Sequence, residues 1–288
     1  MPRGQSARQL PESRSLKTFL DTILEDVREE VSAAKLVRSA SDIRFMVADA
    51  PPPRGFASAI AQGGFGLIAE IKERSPSVGP MRAENVSAAP YAYAESPCVR
   101  AISVLTNQRH FGMDITCLAK IHALVSKPIL RKEFFLDEYQ IREARAFGAD
   151  SVLLMANVLD ASQLKGFHEL ASELGMDVLF EVHSEEEIGM LPATARLVGI
   201  NSRKFKSQSG FVSPSGSSQK DFSLDTGVFQ MADKLPAGTL RVAESGISPE
   251  TISSVCKTFH AALVGTSLLR DPRGIRACLQ GFEAAVLG

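Results

Sequence analysis

The sequence has too little cysteine to be held together by disulfides. Cys98, Cys117, Cys256 and Cys278 are its only thiols in 288 residues, and no two form a Cys-x-x-Cys pair. That spacing offers neither a disulfide framework nor a zinc site. The five histidines are equally scattered, so no metal is expected. Charge of one sign is also lacking: 32 basic against 33 acidic side chains leave a net charge of -1. A general binder of nucleic acid or of membrane surfaces needs a basic surplus, so neither class is expected. A few well-placed groups can still build a local anion site. No apolar run approaches the roughly 20 residues that span a bilayer. Arginines near the start have no apolar segment behind them, which argues against a secretory signal. Arg and Ser there also suit a short organelle transit peptide, but the favoured reading is a disordered polar tail over residues 1–15 of a cytoplasmic protein.

What is present is ordinary globular material, 44% hydrophobic and 23% charged, enough for one sizeable core over residues 16–288. Residues Leu16 to Val37 read as a helix with Ser15 as N-cap, because Leu20, Ile23, Leu24, Val27 and Val31 recur at helical spacing. Pro51-Pro52-Pro53 interrupts regular structure and marks a connector within an N-terminal helical extension over residues 16–64.

From Phe65 onward short apolar strands alternate with amphipathic segments such as Asp137–Phe147 and Ala161–Leu174. The predicted strands are Gly66–Ile71, Val99–Leu105, Pro128–Arg131, Ser151–Met155, Asp177–Val182, Leu197–Ile200, Leu240–Ala243 and Ala261–Val264. Regular alternation implies parallel strands joined by right-handed crossovers. Eight such units predict an α/β fold of the (β/α)8 TIM-barrel kind, whose usual size is about 250 residues. The rival, an open doubly wound sheet, announces itself by a Gly-x-Gly-x-x-Gly turn that is absent here. The low-complexity polar run at 207–220 reads as a flexible insertion between the sixth and seventh strands.

Barrel chemistry sits at the C-terminal strand ends. Strand parity puts Glu70 and Lys72 on one face after the first strand and Lys132 on the face of Leu130 after the third. Glu181 stands at the corresponding height on the fifth strand. Asn201 ends the sixth, with Arg203 two residues on, and Glu244 ends the seventh. For any one residue an ion network or a solvated charge is an equal reading. For the whole set, each following an apolar strand, an acid–base site is the better one. Ser245-Gly246 after the seventh strand and Gly265-Thr266-Ser267 after the eighth suit a phosphate grip, though each alone is ordinary turn chemistry. Phe111 and Phe134 either line an aromatic pocket or pack in loops. His183 reads as a structural loop residue, and Arg131 and Glu133 as outward-facing.

Several segments taken together resemble one family. Leu20–Glu30, Ile68-Ala-Glu-Ile-Lys-Glu-Arg-Ser-Pro-Ser77, Ala101–Thr106, Leu130-Arg-Lys-Glu-Phe134, Tyr139–Arg145, Gly199-Ile-Asn-Ser-Arg203 and Glu244-Ser-Gly246 follow the order of the indole-3-glycerol phosphate synthases. The resemblance runs from about Leu20 to Arg270. It implies a carboxy-lyase of tryptophan biosynthesis that turns 1-(2-carboxyphenylamino)-1-deoxyribulose 5-phosphate into indole-3-glycerol phosphate, carbon dioxide and water, without metal or organic cofactor. It also implies roles. Lys132 would be the general acid of ring closure, Glu181 the later base, and Lys72 a phosphate or carboxylate contact sharing the acid role. Glu70, Asn201, Glu244 and Ser245 would orient substrate and lysines. Arg203 would hold the anthranilate carboxylate, Phe111, Phe134 and Leu154 its ring, and Ser75, Gly246, Gly265 and Thr266 the phosphate. The expected partner is this phosphorylated small molecule, and the expected assembly a monomer or weak homodimer.

Val78, Asn107, Val99-Arg100 and Lys204-Phe205 depart from the family pattern, all in loops or at their edges. Two other readings compete. A phosphoribosylanthranilate isomerase would need a Cys and Asp pair at the mouth, where Glu and Lys stand instead. A catalytically silent paralogue binding a phosphorylated ligand would not require Lys132, Glu181 and Lys72 together.

Overall fold

The computed structural model describes residues 18–203, 207–212, 218–220 and 223–287, with backbone alone at 207–212, 218–220 and 287. Eight parallel strands close into a barrel in chain order: β1 Gly66–Ile71, β2 Val99–Leu105, β3 Ile129–Lys132, β4 Ser151–Met155, β5 Asp177–Val182, β6 Leu197–Asn201, β7 Leu240–Glu244 and β8 Ala261–Val264. Each pairs with its sequence neighbour, and β8 returns to β1. This is the (β/α)8 barrel that the alternation predicts. No described helix is long and apolar enough to cross a membrane.

Three strands end one residue later than the sequence suggests, at Lys132, Asn201 and Glu244. β3 also starts later, because Pro128 has no N–H to donate to a ladder. Strand parity divides the core in two. Ile68, Ala101, Leu130, Leu153, Leu179, Leu197 and Val242 fill the barrel, whereas Leu67, Ala69, Ile102, Val152, Leu154, Phe180 and Val198 pack in the layer beneath the helices.

The N-terminal extension forms three helices: α1 Phe19–Val37, α2 Ala40–Asp49 and α3 Phe56–Ala61. The cap of α1 is Thr18 rather than Ser15. Thr18 Oγ1 accepts from the N–H of Asp21 at 3.1 Å, and Asp21 Oδ2 accepts from the N–H of Thr18 at 2.7 Å. Ser15 has Thr18 three residues on and no carboxylate to complete that reciprocal box. Residues 1–17, including the expected tail, lie outside the described residues. The buried stripe of α1 is Ile23, Val27 and Val31, at the helical period. α3 packs on β2 and β7, and its Phe56 and Ile60 join the barrel interior.

Two aspartates fasten that helix beneath the barrel. Asp150, just ahead of β4, accepts from the N–H of Arg54 at 2.6 Å and of Ile129 at 2.7 Å. Asp177, opening β5, accepts from the N–H of Ala57 at 2.8 Å. The Pro51–Pro53 connector thus delivers the chain to a floor of charge-assisted bonds. The polar run at 207–220 is not wholly without regular structure: Ser207–Val212 and Ser218–Lys220 pair as an antiparallel hairpin. Its stem is an antiparallel bridge between Arg203 and Leu224.

Removing a buried carboxylate that serves two N–H groups strands both donors. Asp150→Ala is expected to lower the unfolding free energy by about 3 kcal/mol. Urea titration checks this, with turnover of the folded fraction unchanged because the site lies at the opposite end.

Candidate active site

The C-terminal ends of the strands surround a cavity of about 390 Å³. At its floor, Glu70 and Lys72 point the same way from β1 and form an ion pair. Lys132, ending β3, reaches Glu244 at 3.3 Å, Glu70 at 3.6 Å and Glu181 at 4.0 Å. Glycine makes room for this arrangement. A Cβ on Gly199 of β6 would strike the Glu244 carboxylate, and one on Gly265 after β8 would strike that of Glu70. The carboxylates occupy space where neighbouring strands carry no side chain.

Burial and charge set the protonation states. Burial alone would neutralise Lys132, but Glu244, Glu70 and Glu181 outweigh it and hold its pKa above the ordinary lysine value. Burial likewise opposes ionisation of Glu70, yet Lys72 and Lys132 hold its carboxyl below the usual range. Glu244 is different. Burial, reinforced by the adjacent Glu181, pushes it up to about 8 despite Lys132. Lys72, Lys132 and Arg203 thus stand with Glu70, which is held toward its ionised form, and Glu244, which is held toward its neutral one. This floor favours anions.

Around it stand most of the expected residues. Ser75, Phe111, Phe134, Asn201, Arg203, Ser245, Gly246, Gly265 and Thr266 all line the cavity with Glu70, Lys72, Lys132 and Glu181. Asn201 Oδ1 accepts from the N–H of Arg203 at 3.0 Å, and the Arg203 guanidinium donates to Ser77 Oγ at 3.1 Å. Ser245 is the one described residue other than glycine with a left-handed backbone (φ 68°), at the turn where β7 ends. Such a conformation costs free energy and is kept where surrounding contacts demand it. Ser202 Oγ braces the turn by donating to the Ser245 carbonyl at 3.1 Å.

Two expected residues lie elsewhere. Leu154 packs in the layer beneath the helices, because parity on β4 sends Leu153 and Met155 inward instead; those two line the cavity. Glu244 is fully buried and supports Lys132 from below rather than lining the cavity. Glu133 and Arg131 are both buried, not turned to solvent. Arg131 pairs with Glu143 at 3.1 Å in the helix layer. Glu133 lines the cavity wall and accepts from Thr106 Oγ1 at 3.0 Å and the N–H of Phe134 at 2.9 Å. Burial pushes its carboxyl up to about 7. Leu224, distant in sequence from any strand end, also lines the cavity, as does Val78. Among the described residues no group of three or more His, Cys, Asp or Glu is disposed to hold a metal ion.

A carboxyl whose folded pKa is raised stabilises the fold below its unfolded value, near 4.3, and loses that contribution as pH rises through the folded value. For Glu244 that window runs from about 4.3 up to about 8. Relative to Glu244→Gln, the wild type should therefore lose stability as pH rises from 5 to 8. Denaturant melts of both proteins across that range check the sign.

Comparison with known proteins gives the family. Residues 20–277 match the model of the family described as indole-3-glycerol phosphate synthase. The chain is 38% identical over 271 residues to the indole-3-glycerol phosphate synthase of Mycolicibacterium smegmatis, covering 92% of this chain and 94% of that one. It is 37% identical over 268 residues to that of Mycobacterium ulcerans, covering 91% and 93%. Among solved structures, 3-hexulose-6-phosphate synthase from Salmonella typhimurium shares the fold at a TM-score of 0.56 and 13% identity, covering 78% of this chain and 99% of that one. With the family model spanning nearly the whole barrel and its relatives matched end to end, the chain belongs to the indole-3-glycerol phosphate synthases, carboxy-lyases of tryptophan biosynthesis.

Proposed function

We propose that the cavity binds 1-(2-carboxyphenylamino)-1-deoxyribulose 5-phosphate and that Lys132 is the acid that drives its ring closure. The observation that carries this is the Lys132 ammonium, held charged by three carboxylates within 4.0 Å at the floor. An ammonium so placed donates a proton to the substrate carbonyl as the ring carbon attacks it, and offsets negative charge on the substrate. The new ring then loses its carboxylate as carbon dioxide. Loss of the resulting hydroxyl as water needs a second proton, for which Lys72 is placed. Glu181, 4.0 Å from Lys132, takes a proton from the neighbouring carbon to complete the indole. Glu244 and Glu70 position the lysines, and Asn201 and Ser245 orient the substrate.

The anionic ends of the substrate suit the polar wall. Arg203 takes the carboxylate, with its cost of burial offset by the substrate's charge. Ser75, Gly246, Gly265 and Thr266 take the phosphate, where small residues let backbone N–H groups approach. The aromatic ring lies among Phe111, Phe134, Leu153 and Met155, walls that exclude water and strengthen each charge inside. The same reading takes the protein as a cytoplasmic enzyme, monomeric or weakly dimeric, and residues of one chain line the cavity.

Purified protein should generate the fluorescence of indole-3-glycerol phosphate from this substrate, and Lys132→Ala should lower kcat by at least about 100-fold with the fold intact. Near-normal turnover in that variant would remove Lys132 from the acid role. The two leucines of β4 separate wall from core. Leu153→Ala should raise KM several-fold, whereas Leu154→Ala should cost about 3 kcal/mol of stability and leave KM unchanged. The opposite pattern in kinetics and melts would restore Leu154 to the ring pocket.

A further inference from the structure

His183 follows the last residue of β5, as the sequence suggests, but its ring stays beside Glu181. Nε2 lies 3.5 Å from Glu181 Oε1, and Nδ1 lies 3.4 Å from Glu187 Oε2. The geometry is fixed locally. Ser184 caps the short helix Glu185–Ile188 by accepting from the N–H of Glu187 at 3.3 Å. Glu187 then folds back, and its Oε2 accepts from the backbone N–H of His183 at 2.6 Å. The Glu181 side chain is 1% exposed, those of His183 and Glu187 16% and 17%. Lys132, Glu181, His183 and Glu187 therefore form a row of proton-carrying groups running from the cavity floor to the surface.

The reaction gives such a row a use. The carbonyl oxygen of the substrate leaves as water, which takes two protons. One proton is lost from carbon. Carbon dioxide departs from a carboxylate and leaves its bonding electron pair in the ring, with no proton released. Two protons in and one out make a net uptake of one per turnover. The first turnover draws on protons already stored on Lys132 and Lys72. Every later one needs a proton from solvent at a floor where Glu181 and Glu244 have no access to water.

We propose that His183 relays this proton. Glu181 first hands the proton it took from carbon to Lys132, then accepts the Nε2 proton of His183, which takes another at Nδ1 from the Glu187 side. This second proton passes through Lys132 and Glu70 to Lys72, so that both lysines are ammonium groups again. The inference rests on the functional reading above. His183 acts through Glu181 and does not line the cavity, so its part is to hold and move a proton rather than to touch substrate. An imidazole exchanges protons between its two nitrogens without leaving its place, which no other side chain in the row does. The groups facing it are Glu181 on the preceding strand, Glu187 on the following helix and Glu244 on β7, with Lys132 beyond Glu181. Burial opposes charge on His183, and the Glu187, Glu181 and Glu244 carboxylates outweigh it, raising its pKa above the ordinary imidazole value. Separations slightly beyond a good hydrogen bond are common in empty sites and tighten when ligand binds.

Rapid mixing of His183→Ala with excess substrate tests the relay. The first turnover should keep its rate within about twofold while steady-state kcat falls about 10- to 100-fold, giving a burst, and added imidazole should restore the steady state. Glu187→Gln should show a milder burst that imidazole does not restore. His183→Gln, which keeps the bulk of the ring, should match His183→Ala before rescue. Equal slowing of first and later turnovers, unrelieved by imidazole, would make His183 structural. No slowing of either would mean that water entering through the mouth supplies the proton. Both outcomes overturn the relay. Absence of product from the wild type, or product from Lys132→Ala at the wild-type rate, would instead strike the functional reading itself.

Discussion

One ammonium group organises the upper half of this barrel. Lys132 is removed from water, which alone would strip its proton, and stays charged because carboxylates from three other strands converge on it. Each of those carboxylates is costly to bury without a cation. The lysine and its partners therefore enforce one another, and strands β1, β3, β5 and β7 must present their ends at one height for the group to exist. The inequality among the carboxylates matters as much as their number. Glu70 has two lysines and is held below the usual carboxyl range, whereas Glu244 shares Lys132 with Glu181 and is pushed up to about 8.

The lower half does the opposite job with the same kind of bond. Asp150 and Asp177 spend their charge on backbone N–H groups of the N-terminal connector, so no anion is left to bind anything. α3 closes that end with Phe56 and Ile60, and the barrel opens at one end only. Stability and chemistry are thereby assigned to opposite rims of the same sheet.

The barrel was legible because alternation of apolar strands and amphipathic helices has few other solutions, and its register because Glu70 and Lys72, two apart, share one face. Parity served equally for Lys132, Glu181 and Asn201. Leu154 rested on the resemblance alone, and parity points instead to its inward neighbours Leu153 and Met155, which share the rule that places Glu181 on β5. Arg131 and Glu133 show a different limit: outward from a barrel means into the helix layer or the cavity wall, and charge alone does not reveal which. Leu224 carried no signal, since it reaches the cavity only through its bridge with Arg203 across the insertion. His183 was hidden because its strand ends before it, and only the turn of Glu187 brings its two carboxylate neighbours together.

That bridge between Arg203 and Leu224 has a consequence for how the chain can vary. It ties the two ends of the 207–220 excursion together at the rim, so what lies beyond the tie does not set where Arg203 points. Lengthening a loop whose ends are already pinned costs little, about 0.6 kcal/mol for each doubling. The rim thus has one place where new sequence can accumulate, or a foreign peptide be grafted, without the barrel noticing.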